Sequence, residues 1–191
     1  MSQIIKQIKP AFEEAVLPFV KLLYRAGITP NMLTVSGLIL VTAGSYFILK
    51  GDFFTGALFL LAGNICDALD GTLARKFNQN STFGAFLDSV IDRFSDFLPV
   101  VAIGFYFKDS SAILALAVYT AMISYTVSYA RARAEGLGID CKTGIMERAE
   151  RSAVLILTLL LGIPVAGLII ISAGATITVL QRIYCVYLKA R

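Results

Sequence analysis

Long apolar stretches alternate with short polar links along the chain, and this alternation predicts an all-helical membrane protein. A helix needs about 20 apolar residues to cross a hydrocarbon core, and several stretches approach that length. The links between them contain turn-forming sequences such as Lys50-Gly51-Asp52. The pattern predicts six transmembrane helices at about residues 30–49, 53–75, 82–107, 112–135, 147–161 and 165–187.

The first 25 residues follow a different pattern, in which lysines and glutamates separate apolar residues at helical spacing. The apolar positions are Ile4, Ile5, Ile8, Phe12, Val16, Leu17 and Val20. Such a pattern is typical of an amphipathic helix lying in the membrane interface. We therefore expect an N-terminal interfacial helix over about residues 2–25, ending before Pro30 at the start of the first span.

The composition supports a membrane protein and changes little else. Of 191 residues, 57% are hydrophobic and 16% are charged, with a mean hydropathy of +0.76, whereas a soluble domain is about a quarter charged. We expect one membrane domain over residues 1–191. The charged residues among the first 25 argue against a cleavable signal peptide. Three scattered cysteines, an odd number, imply no disulfide framework.

Charge placement predicts the orientation in the membrane. Of the 17 lysines and arginines, only Lys50 and Lys108 lie at turns on one side of the predicted bundle. The others lie near the two longer loops and the two termini. By the positive-inside rule, both termini face the cytoplasm and the protein resides in the cell membrane.

Four aspartates stand inside or beside the second and third predicted spans. Asp67 and Asp70 would share one face of the second span, and Asp88 and Asp92 one face of the third, because residues three or four apart are neighbours on a helix. The polar link 76–82 lets these helices form a hairpin, so the four carboxylates can converge. Like charges this close repel one another unless a cation neutralises them. The pattern therefore predicts a metal site facing the cytoplasm.

The available ligands indicate which metal this site would bind. Histidine is absent and the cysteines do not cluster, so carboxylate oxygens favour Mg²⁺ or Mn²⁺ over zinc or copper. Two such ions held by four carboxylates are a known arrangement for phosphoryl chemistry. Structural alternatives exist for single aspartates: Asp67 or Asp70 could cap a helix or pair with Arg75, and Asp96 could pair with Arg93.

Small residues beside the aspartates are candidates for a nucleotide site. Gly71 and Gly84 lack side chains and Ala74 is small, so a pyrophosphate could approach the backbone closely. The alternative is helix packing, since small residues also line helix interfaces in membranes. Together with the metal site, these residues indicate a substrate that is part lipid and part nucleotide.

The aspartates and small residues together resemble the signature of the CDP-alcohol phosphotransferase family. All eight fixed positions match in Asp67-x2-Asp70-Gly71-x2-Ala74-Arg75-x8-Gly84-x3-Asp88-x3-Asp92, and the six predicted spans cover nearly the whole chain. The resemblance implies an enzyme in which a hydroxyl attacks the lipid-side phosphorus of a CDP-linked lipid and releases CMP.

The resemblance also implies roles for individual residues. Asp67, Asp70 and Asp88 would be metal ligands. Asp92 would be the general base for the acceptor hydroxyl and would also contact a metal. The residues expected to bind the CDP-linked lipid are Thr29, Asn31, Asn64, Asp67, Asp70, Gly71, Ala74, Arg75 and Gly84.

Arginines of the last three spans are candidates for binding a phosphate on the acceptor. These are Arg131, Arg133, Arg148, Arg151 and Arg182. Arginine binds phosphate through bidentate charge-assisted hydrogen bonds. The alternative is that these residues only follow the positive-inside rule and contact anionic headgroups. Arg182 fits that alternative least well, because it interrupts an apolar run.

The sequences around these arginines resemble the phosphatidylinositol-phosphate synthase branch of the family, including its archaeal archaetidylinositol-phosphate counterparts. They read Ser-Tyr-Ala-Arg131-Ala-Arg133-Ala-Glu and Glu-Arg148-Ala-Glu-Arg151. Ala149 departs from that branch, where proline is expected. The resemblance implies inositol phosphate as the acceptor. Glycerol 3-phosphate is the alternative, since it too requires a basic pocket.

Two other functional classes fit the sequence less well. A Mg²⁺ channel or transporter would need acidic residues along a path, but Asp52 and Asp109 stand singly at the opposite mouth. A catalytically inactive scaffold is disfavoured by the intact signature. The expected partners are a CDP-linked lipid, a phosphorylated polyol, membrane lipids and a second copy of the chain. Two-fold dimers are the commonest oligomers, and the resembling family members are homodimers. We expect no nucleic-acid partner.

Overall fold

The computed structural model describes residues 3–190, with the side chains from residue 13 onward. All regular secondary structure in that range is helical, which confirms the predicted all-α class. The helices are α1 (Gln3–Arg25), α2 (Pro30–Leu49), α3 (Phe53–Lys76), α4 (Thr82–Tyr106), α5 (Ser111–Gly136), α6 (Arg148–Leu160) and α7 (Pro164–Lys189).

Four of the helices in the described part of the chain are long and apolar enough to cross a membrane, namely α2, α3, α5 and α7. The 25-residue α4 has sufficient length but carries several charged side chains, among them Asp88 and Asp92. The 13-residue α6 is shorter than the ~20 residues of an untilted span. The six-span layout and its orientation therefore stay predictions.

The N-terminal helix packs against the start of the site-bearing helices. Val20 of α1 is fully buried in a cluster with Leu33 of α2 and with Leu69 and Leu73 of α3. Most of the apolar stripe predicted for this helix, Ile4, Ile5, Ile8 and Phe12, lies outside the described side chains. The helix itself is confirmed, whereas its position in the membrane interface stays a prediction.

Helices α2 and α3 approach closely along a seam of glycines. A Cβ atom on Gly44 would lie 2.9 Å from the Gly56 carbonyl oxygen, and one on Gly63 would lie 3.0 Å from the Gly37 carbonyl oxygen. Small residues allow such backbone contact between membrane helices. Helix α4 packs on both α2 and α5. Because α2 packs on both α3 and α4, it sets the spacing between the site-bearing ends of those two helices.

Polar caps determine where the helices begin. The Thr29 hydroxyl accepts a hydrogen bond from the Met32 amide, and the Ser81 hydroxyl accepts one from the Gly84 amide at 2.9 Å. Such caps satisfy amides that have no partner within the helix. The Ser81 cap fixes the start of α4, and therefore the rotation at which its aspartates face α3.

A disulfide joins Cys141 in the α5–α6 loop to Cys185 in α7, while Cys66 is free. The expectation of no disulfide was therefore wrong. The two cysteines are 44 residues apart, and only the packing of the loop on α7 brings them together. The same loop is held by hydrogen bonds from Arg182 Nε to the Thr143 carbonyl and from the Met146 amide to Thr178.

Removing this disulfide with the Cys141→Ser and Cys185→Ser pair of substitutions is expected to lower the melting temperature. A crosslink closing a loop of 44 residues contributes roughly 4 kcal/mol by loop entropy. Thermal unfolding with and without reductant measures the effect, and Cys66→Ser serves as the matched control. An equal melting temperature for the disulfide-free and wild-type proteins under oxidising conditions would show that the crosslink is not stabilising.

Candidate active site

Three of the four predicted aspartates converge where the end of α3 meets the start of α4. Oxygen atoms of Asp67, Asp70 and Asp88 all lie within 4.8 Å of one another. Asp67 and Asp70 share a face of α3 because they are three residues apart, and the turn at 77–81 brings Asp88 of α4 opposite them. The convergence expected from helical spacing is therefore present for three of the four carboxylates.

The carboxylate of Asp70 is fixed from α2 by a residue that the sequence did not single out. Thr34 donates its hydroxyl hydrogen to Asp70 Oδ2 at 2.6 Å, and both side chains are buried, with 6% exposed. The only sequence signal was a hydroxyl residue one turn after Pro30 in an apolar span. The hydrogen bond leaves the other oxygen of Asp70 available to a ligand.

The donor set fits a divalent cation of the Mg²⁺ or Mn²⁺ type. The three carboxylates supply only oxygen ligands, which such hard ions prefer. Asp88 Oδ1 is buried and has no hydrogen-bond partner among the described residues. A buried carboxylate oxygen without a partner is costly unless a cation or donor satisfies it. These residues therefore match the requirements of a metal centre.

Asp92, the fourth aspartate, is held by an arginine from α6. Arg148 Nη2 lies 2.9 Å from Asp92 Oδ1, and Arg148 Nη1 lies 3.0–3.1 Å from the two carboxylate oxygens of Asp67. Arg148 thus joins α6 to the aspartates of α3 and α4. Its contacts are with carboxylates, whereas the sequence placed it in the acceptor phosphate site.

A fifth carboxylate, Asp96, lies one turn beyond Asp92 on α4. Its Oδ2 accepts a hydrogen bond from Arg151 Nη2 at 2.5 Å, and its Oδ1 lies 3.6 Å from Arg148 Nε. The sequence alternative that Asp96 pairs with Arg93 is wrong, because Arg93 lies beside Asp92, 3.7 Å away. The four-residue spacing from Asp92 was the available signal for Asp96.

The glycines of the signature lie against polar side chains near the aspartates. A Cβ on Gly84 would lie 2.9 Å from Ser81 Oγ and 3.0 Å from Asn31 Oδ1. The Asn31 side chain therefore lies next to Gly84. A Cβ on Gly71 would lie 3.0 Å from Arg75 Nη1. A side chain at either position would crowd polar groups that the sequence assigned to the nucleotide.

The remaining predicted nucleotide residues lie around this cluster. Asn64 lines a narrow cavity together with Asp67, Thr34 and Arg148. Thr29 caps α2, and the partly buried Ala74 follows one turn after Asp70 on α3. The structure thus gives Thr29 a capping role and brings Asn64 directly to the aspartates.

Arg75 is paired with the N-terminal helix. Its Nη2 donates to Glu13 Oε1 at 2.8 Å, and Lys76 lies 3.9 Å from the other Glu13 oxygen. The alternative in which Arg75 neutralises Asp67 or Asp70 is therefore not what the structure shows. Glu13 is a further residue that the sequence did not single out.

Three arginines from three helices form a basic cluster, namely Arg131 of α5, Arg151 of α6 and Arg182 of α7. The charges of Arg131 and Arg151 act on the Arg182 guanidinium. Arg151 and Arg182 are buried, with 4% and 3% exposed. Like charges gathered from separate helices repel one another and favour a bound anion.

Each arginine of the basic cluster also contacts protein groups. Arg182 donates to the Val127 and Thr143 carbonyls and pairs with Glu147 at 3.4 Å. Arg131 pairs with Glu135 at 2.9 Å on the surface of α5. Arg133 is exposed in the last turn of α5. The structure thus divides the five predicted arginines. Three form this cluster, Arg133 is exposed, and Arg148 contacts the aspartates.

The chain matches known proteins over nearly its whole length. A family model for CDP-alcohol phosphatidyltransferases matches residues 27–180. The archaetidylinositol phosphate synthase of Pyrococcus horikoshii is 36% identical over 94% of this chain and 95% of its own.

Solved structures of the Mycobacterium tuberculosis phosphatidylinositol phosphate synthase share the fold. The one with CDP-DAG bound has a TM-score of 0.82 at 26% identity, covering 89% of this chain and 92% of that one. The one in complex with manganese and citrate has the same TM-score at 27% identity, covering 89% and 88%. Because the family model covers the aspartate signature and most of the chain, the protein belongs to the CDP-alcohol phosphatidyltransferase family.

Proposed function

We propose that this enzyme transfers a phosphatidyl-type group from a CDP-linked lipid to the hydroxyl of inositol phosphate, releasing CMP. The observation that carries the proposal is that a carboxylate cluster from α3 and α4 and a basic cluster from α5, α6 and α7 are linked through α6, whose Arg148 contacts Asp67 and whose Arg151 belongs to the basic cluster. The first suits a cation-bound diphosphate and the second suits an acceptor that carries its own phosphate. The relatives named for inositol phosphate products support this choice of acceptor.

The metal centre would be held by Asp67, Asp70 and Asp88, with Asp92 completing the set for a pair of ions. When bound, Mg²⁺ or Mn²⁺ supplies electrostatic stabilisation for the diphosphate and the departing CMP. The manganese complex of the mycobacterial relative is consistent with a divalent ion. Thr34 holds Asp70 in place for this role.

The donor and the acceptor would reach the cluster from different sides. Gly71, Ala74 and Gly84 leave space for the cytidine diphosphate, with Asn31, Asn64, Arg75 and Thr29 around it. Asp92 takes the proton from the acceptor hydroxyl, whose oxygen then attacks the lipid-side phosphorus. Arg148 orients the Asp92 carboxylate. Arg131, Arg151 and Arg182, with Arg133 nearby on α5, would bind the acceptor phosphate.

The membrane arrangement is part of the same proposal. We infer six membrane-crossing segments, with α4 and α6 completing the four apolar helices, and an interfacial α1. The arginines at the end of α5 and the start of α6 support a cytoplasmic location of the site by the positive-inside rule. A homodimer is the expected assembly.

An acceptor panel tests the proposed reaction. Purified enzyme with a CDP-linked lipid and Mg²⁺ is expected to release CMP with inositol phosphate, and not with glycerol 3-phosphate, free inositol or serine. Chelation should stop CMP release and added Mg²⁺ or Mn²⁺ should restore it. Turnover with glycerol 3-phosphate alone would assign the other acceptor. Mg²⁺ flux into dye-loaded proteoliposomes without CMP release would assign a channel.

Replacing Arg182 with alanine is expected to raise the KM for inositol phosphate by about 10–100-fold, because a buried charge-assisted contact with phosphate is lost. The KM for the CDP-linked lipid should change little. Steady-state kinetics with each substrate varied in turn measure both values. Arg25→Ala, at an exposed arginine of α1, is the matched control. An unchanged KM for inositol phosphate would place the acceptor phosphate elsewhere.

A further inference from the structure

Asp96 is a partly buried carboxylate that neither the family signature nor the proposed reaction uses. Its side chain is 14% exposed and faces two arginines of α6. These arginines, Arg148 and Arg151, are three residues apart and therefore lie on the same face of that helix. Asp96 occupies the space between their guanidinium groups.

The two arginines belong to different clusters. Arg148 contacts Asp67 and Asp92 among the signature aspartates. Arg151 belongs to the basic cluster, in which its charge acts on Arg182. Asp96 contacts both arginines, so one side chain connects the proposed metal and base residues with the proposed acceptor phosphate site.

Asp96 contacts only one of the three nitrogen atoms of the Arg151 guanidinium group. Arg151 Nη2 donates to Asp96 and Nη1 donates to the Met146 carbonyl at 3.3 Å, whereas Nε has no partner among the described residues. Beside the pair is a small cavity whose lining includes Ser95, Ser124 and Ser152. An arginine has five N–H donors, so this arrangement leaves donor capacity for a further ligand.

The position of Asp96 on α4 also sets the distance between Arg151 and the proposed base, Asp92. Asp92 and Asp96 are four residues apart, which is about one helical turn or ~5–6 Å along α4. An Arg151 fixed to Asp96 therefore stays about one turn away from the proposed base. The hydroxyl and the phosphate of a polyol phosphate must span a similar, fixed separation to react.

We propose that Asp96 is a positioning residue: it holds Arg151 so that an acceptor bound through its phosphate presents its hydroxyl to Asp92. This inference rests on the proposed function, since it takes inositol phosphate as the acceptor. It predicts a role in acceptor binding that acts through Arg151 and does not touch the donor.

The test compares Asp96→Asn, Asp96→Glu, Arg151→Gln and the Asp96→Asn/Arg151→Gln double variant with wild type. Asp96→Asn is expected to raise the KM for inositol phosphate by about 10–100-fold, with kcat and the KM for the CDP-linked lipid within about threefold. Asp96→Glu keeps the charge and should recover part of the loss. Titration with inositol phosphate by calorimetry should show the same order of Kd values. Asp109→Asn, at an exposed aspartate, is the control.

The double variant decides whether Asp96 acts through Arg151. If it does, the double variant has the same acceptor KM as Arg151→Gln, because the effects of coupled residues are not additive. If the double variant instead multiplies the increases in acceptor KM of the two single variants, the proposal is overturned. An unchanged acceptor KM in Asp96→Asn, or a fall in kcat alone, would also overturn it.

Further results distinguish a failure of the Asp96 proposal from a failure of the proposed function and from a variant that does not fold. If Asp96→Asn leaves a buried arginine unpaired and does not fold, the double variant removes both charges, and its comparison with Arg151→Gln still gives the answer. If wild type does not turn over inositol phosphate at all, the proposed function fails. Wild-type turnover with a raised KM in Arg151→Gln but not in Asp96→Asn would overturn only the role of Asp96.

Discussion

Replacing Asp92 with asparagine is expected to lower kcat by about 10²–10⁴-fold, the range typical for loss of a general base. Asparagine keeps the size and polarity of the side chain but cannot take the proton from the acceptor hydroxyl. Asp92 is buried, with 9% exposed, and its Oδ1 contacts Arg148. An asparagine oxygen can occupy the same position beside Arg148, so the local packing should survive.

The measurement is CMP release from the CDP-linked lipid, alongside binding of that lipid to each variant. Binding should stay within about tenfold of wild type, because Asp67, Asp70 and Asp88 remain in place. Asp109→Asn, in the exposed turn after α4, should behave as wild type. Substantial turnover by Asp92→Asn would remove this residue as the base and direct attention to a bound water.

Replacing Asp67 with asparagine is expected to weaken Mn²⁺ binding by at least ~10–100-fold, since even groups that only orient metal ligands have effects of that size. Asp67 supplies one of the three converging carboxylates and also contacts Arg148. Losing its charge removes a ligand and releases Arg148 from α3. The affinity for the CDP-linked lipid should fall with it, because the proposed function has the diphosphate bound through the metal centre.

Electron paramagnetic resonance of Mn²⁺ titrated into purified protein gives the affinity independently of turnover. The matched comparison is Asp96→Asn, which neutralises a neighbouring carboxylate outside the three-aspartate cluster. We expect Mn²⁺ binding to be nearly unchanged in that variant. Equal Mn²⁺ affinity in Asp67→Asn and wild type would mean that the converging carboxylates are not the metal site.

Local sequence features account for most of the helix positions. The spans predicted at about residues 30–49 and 53–75 appear as Pro30–Leu49 and Phe53–Lys76, because apolar runs and turn residues act within a few residues of the chain. The convergence of Asp67, Asp70 and Asp88 followed from the same rules, since helical spacing and one short turn determine it. The family signature then gave these positions their chemical meaning.

Contacts between segments far apart in the sequence could not be predicted from these local rules. The Thr34–Asp70 hydrogen bond joins residues 36 apart, and the Arg148–Asp67 contact joins residues 81 apart. Both depend on how α2, α3 and α6 rotate against one another. The sequence therefore grouped Arg148 with the other arginines by type, while packing placed it on the carboxylates.

For this protein the sequence alone determined the helical class, the helix positions and the aspartate cluster, because each depends on hydrophobic periodicity or on spacing within one hairpin. Only the tertiary structure decided which charges pair: Arg148 with the signature aspartates, Arg151 with Asp96, and Cys141 with Cys185. The physical reason is that a guanidinium or thiol on a long polar or apolar stretch has several possible partners. The packing of whole helices selects one of them.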